Sequence, residues 1–436
     1  MKYRQIGKQI IVYIITLEAR LVLRKYKPKI IAVTGSAGKT STKDAIAVVL
    51  GSGFNVRKSE KSYNSELGVP LTVLGCSSGW LNPIVWFKNI LVGAKLILFR
   101  TKYPEWLILE MGVERPEDMS KLVSWAKPHI SVVTTLSEVQ SHVEFFSSPE
   151  LLIKEKAKIL KNLEIMDFAV LNKDNSLVYD LKDKTKAKII TYGFEEGADL
   201  VASNYRIVFR LNGKGESVPE GVTFKVDCEG SSVPIRLFNI FGRQYAYSAL
   251  AAIAVGKIVG FNLVDMSEAL YLYESPPGRF KILEGVKNSF IIDDTYNSSP
   301  SALRMALETL GDIEKRRKVV VLGDMMELGK YTIEAHKAMA EYVINAGVSI
   351  VFTVGPRSKF ITESLRERGF EENNIFEFST SDEAKKKVED IIREGDVVLV
   401  KGSQFMRMEK IVEEIMAEPE KKEKLLVRQE KEWLEK

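Results

Sequence analysis

A short loop with two glycines, Gly35 to Thr40, constrains the fold more than any other part of the sequence. The apolar run KIIAVT at 29–34 comes directly before it, and a helix-like segment, Ser41–Leu50, follows. A strand, a glycine turn and a helix in this order bind phosphate through the backbone N–H groups of the turn and the positive end of the helix. Lys39 can reach the terminal phosphates, and the Thr40 hydroxyl can bind Mg²⁺. The alternative is a structural turn with an incidental lysine, which the agreement of all these features disfavours.

Apolar runs alternate with helix-like stretches through the first half of the chain. The predicted strands are 29–34, 106–111, 129–135 and 168–172, and a helix is predicted at 149–163. Strands buried on both faces give continuous apolar runs, so this alternation predicts an α/β fold with a mostly parallel sheet. Short alternating runs with Gly and Asn turns predict antiparallel hairpins at about 199–238, and an Ala-rich helix follows at Tyr245–Val259.

A second α/β series begins after the PPG sequence at 276–278, which we interpret as a hinge. Its predicted strands are 290–295, 318–324, 349–355 and 396–402. We therefore predict four segments along the chain. They are an N-terminal amphipathic helix at 1–28, a central domain at 29–277 that contains the phosphate loop, a Rossmann-like α/β domain at 278–416 and a charged, solvated helical tail at 417–436.

The charge balance and the cysteines limit the classes of function. The chain has 63 basic and 58 acidic residues, a net charge of +5, which gives no argument for nucleic acid and mildly favours small anionic ligands. Cys76 and Cys228 form no CxxC pair, so neither a disulfide framework nor a structural zinc site is expected. We expect a cytoplasmic protein, with a monomer favoured.

Two segments, 6–23 and 79–103, are unusually apolar. Lys8, Glu18 and Arg20 interrupt the first, which lacks the roughly 18 apolar residues of a spanning helix. We predict that it packs on the first domain as an amphipathic helix, with a helix on the membrane surface as the alternative. The second segment is expected to form two packed core helices. A peripheral membrane contact or a surface for a membrane-linked substrate is its alternative.

Three polar residues follow predicted strands where ligands bind in parallel sheets. Glu110 ends the strand at 106–111, His142 lies in the loop after the next strand, and Lys156 lies on the following helix. Each also has a structural explanation, as an ion-pair partner, an exposed histidine or part of a solvated lysine face. Their spacing alone leaves a shared metal site open.

The motifs resemble those of the Mur ligases of cell-wall synthesis, from about residue 28 to about residue 415 and in order. Within that family they are most similar to the MurF type, which joins D-alanyl-D-alanine to a UDP-muramoyl tripeptide. The matching segments are VTGSAGKTSTK, SYNSELGVPLTVL, LEMGVERPEDM, SHVEFFSSPELLIKEKAKIL, PPGRF, IDDTYNSSPSAL, VVLGDMMELG and VKGSQFMRMEKIV.

The resemblance implies a role for each site residue. The ATP phosphates would be held by Gly35, Ser36, Ala37, Gly38, Lys39, Thr40 and Ser41, with Asn64 nearby. Two Mg²⁺ ions are implied, one on Thr40 and Glu110 and one on Glu110, His142 and Lys156. Lys156 would carry CO₂ as a carbamate, and Lys39, His142 and Lys156 would be catalytic. Arg279 and Asp294 would contact ATP, beside a wall formed by Tyr296 and Asn297. Lys401 and Ser403 would line the pocket for the amine with the loop 323–329.

The sequence departs from the family pattern in two places. Only about thirty residues precede the phosphate loop, where MurF-type ligases carry an N-terminal domain that binds the UDP end of the substrate. Gln244, Tyr245 and Ser248 stand where the family has other residues near the adenine, and Gln244 is a candidate amide partner.

We therefore expect an ATP-dependent, ADP-forming amide ligase that works through an acyl phosphate. Its expected substrates are a muramoyl-peptide-like carboxylate and D-alanyl-D-alanine or another amine, with no nucleic acid. The first alternative is a Mur-like ligase for another carboxylate, as in folate polyglutamylation, pseudomurein or cofactor pathways. The second alternative is a non-catalytic ATP-binding subunit.

Overall fold

Two mostly parallel sheets, flanked by helices, organise the described residues of this computed structural model, which are 2–60, 63–79, 82–211 and 217–434. The predicted α/β class is confirmed. The order of the first sheet is β2-β3-β1-β4-β5-β6-β7-β8-β9. Its strands are β1 (Lys29–Thr34), β2 (Val56–Lys58), β3 (Trp106–Glu110), β4 (Ile130–Val133), β5 (Phe168–Asn172), β6 (Lys188–Gly193), β7 (Leu200–Leu211), β8 (Ser217–Cys228) and β9 (Ser231–Phe238).

Nine helices accompany the first sheet within the described residues. They are α1 (Lys2–Tyr26), α2 (Lys39–Gly51), α3 (Gly68–Leu74), α4 (Pro83–Leu98), α5 (Asp118–Val123), α6 (Pro149–Lys161), α7 (Ser176–Tyr179), α8 (Arg243–Val259) and α9 (Leu263–Tyr271). The pairs β7–β8 and β8–β9 are antiparallel, as the hairpin prediction required. The predicted turn at 212–216 lies outside the described residues.

The second sheet has the order β10-β11-β15-β12-β13-β14. Its strands are β10 (Lys281–Glu284), β11 (Phe290–Asp294), β12 (Lys318–Gly323), β13 (Ile350–Val354), β14 (Ile375–Phe378) and β15 (Val397–Lys401). Its helices are α10 (Pro300–Gly311), α11 (Thr332–Lys337), α12 (Met339–Asn345), α13 (Lys359–Glu367), α14 (Ser381–Ile391) and α15 (Glu409–Ile415), and α16 (Lys422–Leu425) and α17 (Lys431–Leu434) follow. Only the edge strand β10 runs antiparallel to its neighbour.

Strand β1 shows why the apolar run 29–34 is continuous. Ile31 and Val33 are buried in the core shared with α2 and α8, whereas Ile30 and Ala32 are buried in the core on the opposite face. Both faces of the strand are therefore covered, as in other parallel sheets. The register sets Val33 beside Glu110, so β1 and β3 end at the same edge of the sheet.

Helix α1 packs on the first sheet's helical layer, as predicted. Ile15, Ala19 and Val22 are fully buried, and α1 contacts α3 and α4. Among the described residues, none of the helices combines the length and the apolar character needed to cross a bilayer.

The prediction of two core helices within 79–103 is wrong. One helix, α4, begins at Pro83 after Asn82, whose side chain accepts hydrogen bonds from Ile84 N and Val85 N. Its buried residues are Trp86, Asn89 and Gly93, and half of its other apolar side chains are exposed. The apolar residues surround the helix instead of forming one stripe, so a single layer of packing leaves part of them uncovered. Residues 80–81 lie outside the described part of the chain.

The C-terminal segment also differs from the expected solvated helix. It forms two four-residue helices, α16 and α17, and Leu426 and Arg428 between them are buried. Arg428 pairs with Glu409 Oε2 at 2.6 Å and donates a hydrogen bond to Thr295 O at 2.6 Å. A buried ion pair and a buried leucine therefore hold the segment on the second sheet's domain, which a pattern of alternating Lys and Glu does not reveal.

Arg428→Ala is expected to lower the free energy of unfolding by about 3 kcal/mol, because Glu409 keeps a buried charge with only Arg407 as its ion-pair partner. Chemical denaturation followed by circular dichroism measures this loss. Lys421→Ala, which removes an exposed ion pair with Glu418, is the control and should change stability by less than about 0.5 kcal/mol. Equal effects of the two substitutions would contradict the anchoring role of Arg428.

Candidate functional site

A cavity of about 520 Å³ lies where the carboxyl edges of the two sheets face each other. Every site residue that the sequence predicts lines it. These residues are Gly35, Ser36, Ala37, Gly38, Lys39, Thr40, Ser41, Asn64, Glu110, His142, Lys156, Arg279, Asp294, Tyr296, Asn297, Lys401 and Ser403. The structure thus brings together residues that are more than 300 positions apart in the sequence, and Gln244 also lines the cavity.

The phosphate loop is held by the strand beside it. Ser36 N donates to Thr135 O at 2.6 Å, and Thr134 Oγ1 donates to Ala37 O at 2.6 Å. Gly38 has a φ of 79° immediately before α2 begins at Lys39. This conformation, which favours glycine, turns the chain so that the N-terminus of α2 points at the cavity.

Gly35→Ala is expected to weaken ATP binding at least about tenfold and to lower the free energy of unfolding by about 1–3 kcal/mol. The φ of Gly35 is 149°, and a Cβ there would lie 2.0 Å from Thr134 Oγ1, so the loop must shift. Titration calorimetry and thermal unfolding measure the two effects. Gly260 also has a positive φ, 96°, but its Cβ would meet open space, so Gly260→Ala should leave ATP affinity unchanged. Equal ATP affinity in both variants would contradict the expected role of the loop.

Glu110 is buried at the end of β3 with a defined orientation. Its Oε2 accepts from Thr40 Oγ1 at 2.8 Å and its Oε1 accepts from Asn64 Nδ2 at 3.0 Å. A carboxylate and a hydroxyl this close together can both act as oxygen ligands of Mg²⁺. Phosphate oxygens and water would complete the coordination of the ion. The described residues contain no cluster of three or more His, Cys, Asp or Glu side chains that could hold a metal without such additional ligands.

Two lysine side chains approach the same backbone oxygen at the phosphate loop. Lys39 Nζ donates to Gly35 O at 3.0 Å, and Lys156 Nζ donates to the same oxygen at 3.3 Å. Burial lowers the pKa of Lys39, and the charge of Glu110 opposes that effect. Burial, reinforced by the charge of Lys39, brings the pKa of Lys156 well below its usual range. Both causes favour the neutral form of Lys156 over the charged form, compared with an exposed lysine.

His142 lies in the cavity but pairs across it. Its Nδ1 is 2.8 Å from Glu327 Oε2, and this contact joins the loop after β4 to the loop after β12. Hydrogen bonding to His142 lowers the pKa of Glu327 below its usual range. Both residues have a positive φ, 71° for His142 and 63° for Glu327. In the described chain neither a hydrogen bond nor an ion pair joins His142 to Glu110 or Lys156, so their joint metal site remains a prediction.

The second sheet supplies the opposite wall of the cavity. Asp294 and Lys401 end neighbouring strands in register, and their side chains pair at 2.7 Å. The guanidinium of Arg279 lies 4.0 Å from the centre of the Tyr296 ring, a cation–π contact. Ser403 Oγ accepts from Met326 N at 3.0 Å. These contacts fix positively charged groups on the side of the cavity that faces the phosphate loop.

Two residues that the sequence reasoning missed organise this site. Gln140 Oε1 accepts hydrogen bonds from both Lys156 and Ser36, and its only sequence signal is its place two residues before His142. Asp293 is fully buried beneath the cavity, where it accepts from Gly278 N at 3.1 Å and from Thr295. Burial raises the pKa of Asp293 to about 6. It holds the hinge at 276–278 against β11.

Comparison with known proteins gives matches over both sheets. Residues 87–256 match the family described as Mur ligase middle domain, and residues 278–404 match the Mur ligase, glutamate ligase domain. The UDP-N-acetylmuramoyl-tripeptide–D-alanyl-D-alanine ligase of Rickettsia prowazekii is 27% identical over 390 residues, which are 89% of this chain and 78% of that protein. The ligase of the same name from Bacillus subtilis is 27% identical over 92% of this chain and 79% of its own length.

A solved structure has the same fold. The MurF ligase of Thermotoga maritima, in complex with ADP, superimposes with a TM-score of 0.73 at 24% sequence identity, and the match covers 94% of this chain and 84% of that one.

Proposed function

Because the chain belongs to the Mur ligase family of ATP-dependent, ADP-forming ligases, we propose that it joins D-alanyl-D-alanine to a muramoyl tripeptide in peptidoglycan precursor synthesis. The observation that carries the proposal is the single cavity that contains the phosphate loop, the Thr40–Glu110 pair and the wall of the second sheet. The names of the relatives support the choice of substrates.

The residues present fit the groups that such a reaction needs. Lys39, Arg279 and Lys401 bring positive charge to the cavity, which suits the phosphates of ATP. Thr40 and Glu110 are the residues that would hold Mg²⁺, and Mg²⁺ would neutralise phosphate charge when bound. We assign Asn64 to orienting Glu110, because Asn64 donates to Oε1 of the carboxylate while Thr40 donates to Oε2.

The proposed reaction has two steps. An oxygen of the substrate carboxylate attacks the γ-phosphorus of ATP, and the bond to the leaving ADP breaks, which gives an acyl phosphate. The amine then attacks the acyl carbon, loses a proton and expels inorganic phosphate. Lys39 would neutralise charge that moves onto ADP in the first step. Lys401 and Ser403, on the other wall, would position the amine.

Water must be kept from the acyl phosphate between these steps. The contact between His142 and Glu327 joins the two walls of the cavity. We propose that this contact holds the closed arrangement and that Asp293 sets the hinge geometry. We also propose that the neutral amine of Lys156 adds to the carbon of CO₂ and releases one proton to solvent, which gives an anionic carbamate. Only a neutral amine is nucleophilic, and the environment of Lys156 disfavours its protonation.

The test combines the purified protein with ATP, Mg²⁺, UDP-muramoyl tripeptide and D-alanyl-D-alanine, and reads the products by mass. A pentapeptide product with an equal amount of ADP is expected. Muramoyl tripeptide without the nucleotide is tested in parallel, to separate recognition of the peptide from recognition of UDP. ADP release with neither product would reject this pair of substrates while leaving the ligase assignment in place.

A further inference from the structure

Helix α1 carries an apolar face that points away from the protein. Ile10, Tyr13, Leu17 and Leu21 recur at helical spacing and are exposed, and Tyr13 is 69% exposed. The opposite face contains the buried Ile15 and Val22. The helix therefore has two apolar faces, of which packing on the domain explains only one.

Helix α4 repeats this arrangement beside α1. Ile84, Phe87, Leu91 and Leu98 are all more than half exposed, with values of 64%, 61%, 52% and 75%. Exposed apolar residues scattered singly are ordinary on a protein surface, but apolar faces on two neighbouring helices mark an interaction site. We call the outward apolar faces of these two helices the α1–α4 surface.

The two helices form a fixed unit. Lys25 Nζ donates to Leu96 O at 2.8 Å and to Phe99 O at 2.6 Å, which ties the end of α1 to the end of α4. Glu18 is buried against Gly93, where a Cβ would lie 2.2 Å from Glu18 Oε2, so the glycine permits this close packing. The surface is thus already formed before any partner binds.

The charges around the surface are almost all of one sign. Among the side chains that the structure describes, α1 contributes Arg20, Arg24 and Lys25 and α4 contributes Lys88 and Lys95, whereas the one acidic residue of the two helices, Glu18, is buried. Arg24, Lys88 and Lys95 are exposed. In the described part of the chain neither Lys88 nor Lys95 forms an ion pair with an acidic side chain. An apolar face with a basic border complements an anionic lipid surface.

A second copy of this chain fits the surface less well. A symmetric pair of α1–α4 surfaces would bring the same basic patch of both copies together, and neither helix has an exposed acidic residue to offset the repulsion among Arg24, Lys88 and Lys95. We propose that the α1–α4 surface binds the interface of an anionic bilayer, with α1 and α4 lying on the membrane and not crossing it. This proposal is independent of the identity of the ligase's substrates.

The full-length protein is mixed with vesicles of phosphatidylcholine alone or with added phosphatidylglycerol, and bound protein is separated by flotation. We expect binding only to the vesicles that contain phosphatidylglycerol, weakened by added salt. Lys88→Glu with Lys95→Glu should weaken binding at least about 25-fold, because each basic residue near an anionic membrane contributes about fivefold. Phe87→Ser with Leu91→Ser should weaken it at least about tenfold.

Val264→Ser with Leu272→Ser is the matched control, because these side chains are 55% and 74% exposed on another part of the protein. It should bind vesicles as the unaltered protein does. No binding to anionic vesicles, or an equal loss in the control, would overturn the proposal. A dimer in sedimentation experiments that the Phe87 and Leu91 substitutions dissociate would also overturn it, in favour of a second copy. The single variants Phe87→Ser and Lys88→Glu repeat the test if a double variant has a lowered thermal midpoint.

Discussion

Lys39→Met is expected to lower kcat by about 10²- to 10³-fold without lowering the thermal midpoint of the ligand-free protein. Lys39 lies at the N-terminus of α2, and its ammonium group reaches back to Gly35 O in the phosphate loop. Burial lowers its pKa, because the charged ammonium loses part of its solvation in the cavity, and phosphate oxygens would offset that loss. Methionine lacks the ammonium group that would neutralise phosphate charge during transfer. Its loss should not destabilise the ligand-free fold.

Lys43→Met is the matched control on the same helix. Lys43 is buried one turn further along, pairs with Asp44 at 3.3 Å and donates to Ser59 O at 2.6 Å, but it does not line the cavity. We expect this substitution to lower the free energy of unfolding by about 1–3 kcal/mol, because Ser59 O loses its buried donor, and to change kcat little. Initial rates of ADP release and thermal unfolding of both variants separate the two roles. A normal kcat in Lys39→Met would contradict the proposed mechanism.

The sequence predicted the fold correctly where all the residues that determine an element are consecutive in the chain. Strand β1, the glycine loop and α2 follow one another without interruption, so the apolar run and the glycine spacing were sufficient. The hairpins at 199–238 were equally local. The short strands β2 and β14 were missed, because three or four residues at the edge of a sheet have too little periodicity to stand out.

Contacts between distant segments explain the differences at the C-terminal segment and in the site. No pattern near Arg428 indicates that it pairs with Glu409 and contacts Thr295. In the same way, Gln140 joins the site only because the fold brings it to Lys156. The loop 323–329 was expected at the cavity, but its contact with His142 through Glu327 was not. The family resemblance supplied the candidate ligands, but it did not indicate that His142 faces the second wall of the cavity.

Lys156→Ala is expected to lower kcat by about 10²- to 10³-fold, because of the environment of the Lys156 amine. The amine is buried beside Lys39, so both desolvation and repulsion disfavour its protonation. A carbamate at this position would replace that repulsion by an attraction between the carbamate oxygens and Lys39. It would also supply an anionic oxygen donor, which an ammonium cannot.

A short carboxylic acid such as propionate should restore part of the activity of Lys156→Ala, because the substitution leaves space for a carboxylate near the original position. Lys156→Met is the control, since its side chain fills that space and should prevent rescue. The unaltered enzyme should lose activity in CO₂-free buffer and regain it with bicarbonate, and ¹³C-labelled bicarbonate should give a carbamate carbon signal that Lys156→Met lacks.

If activity is independent of CO₂ and propionate rescues neither variant, Lys156 acts as an amine that holds Gln140 and the phosphate loop. That role would still predict the loss in kcat, because Lys156 contacts Gly35 O and Gln140 directly.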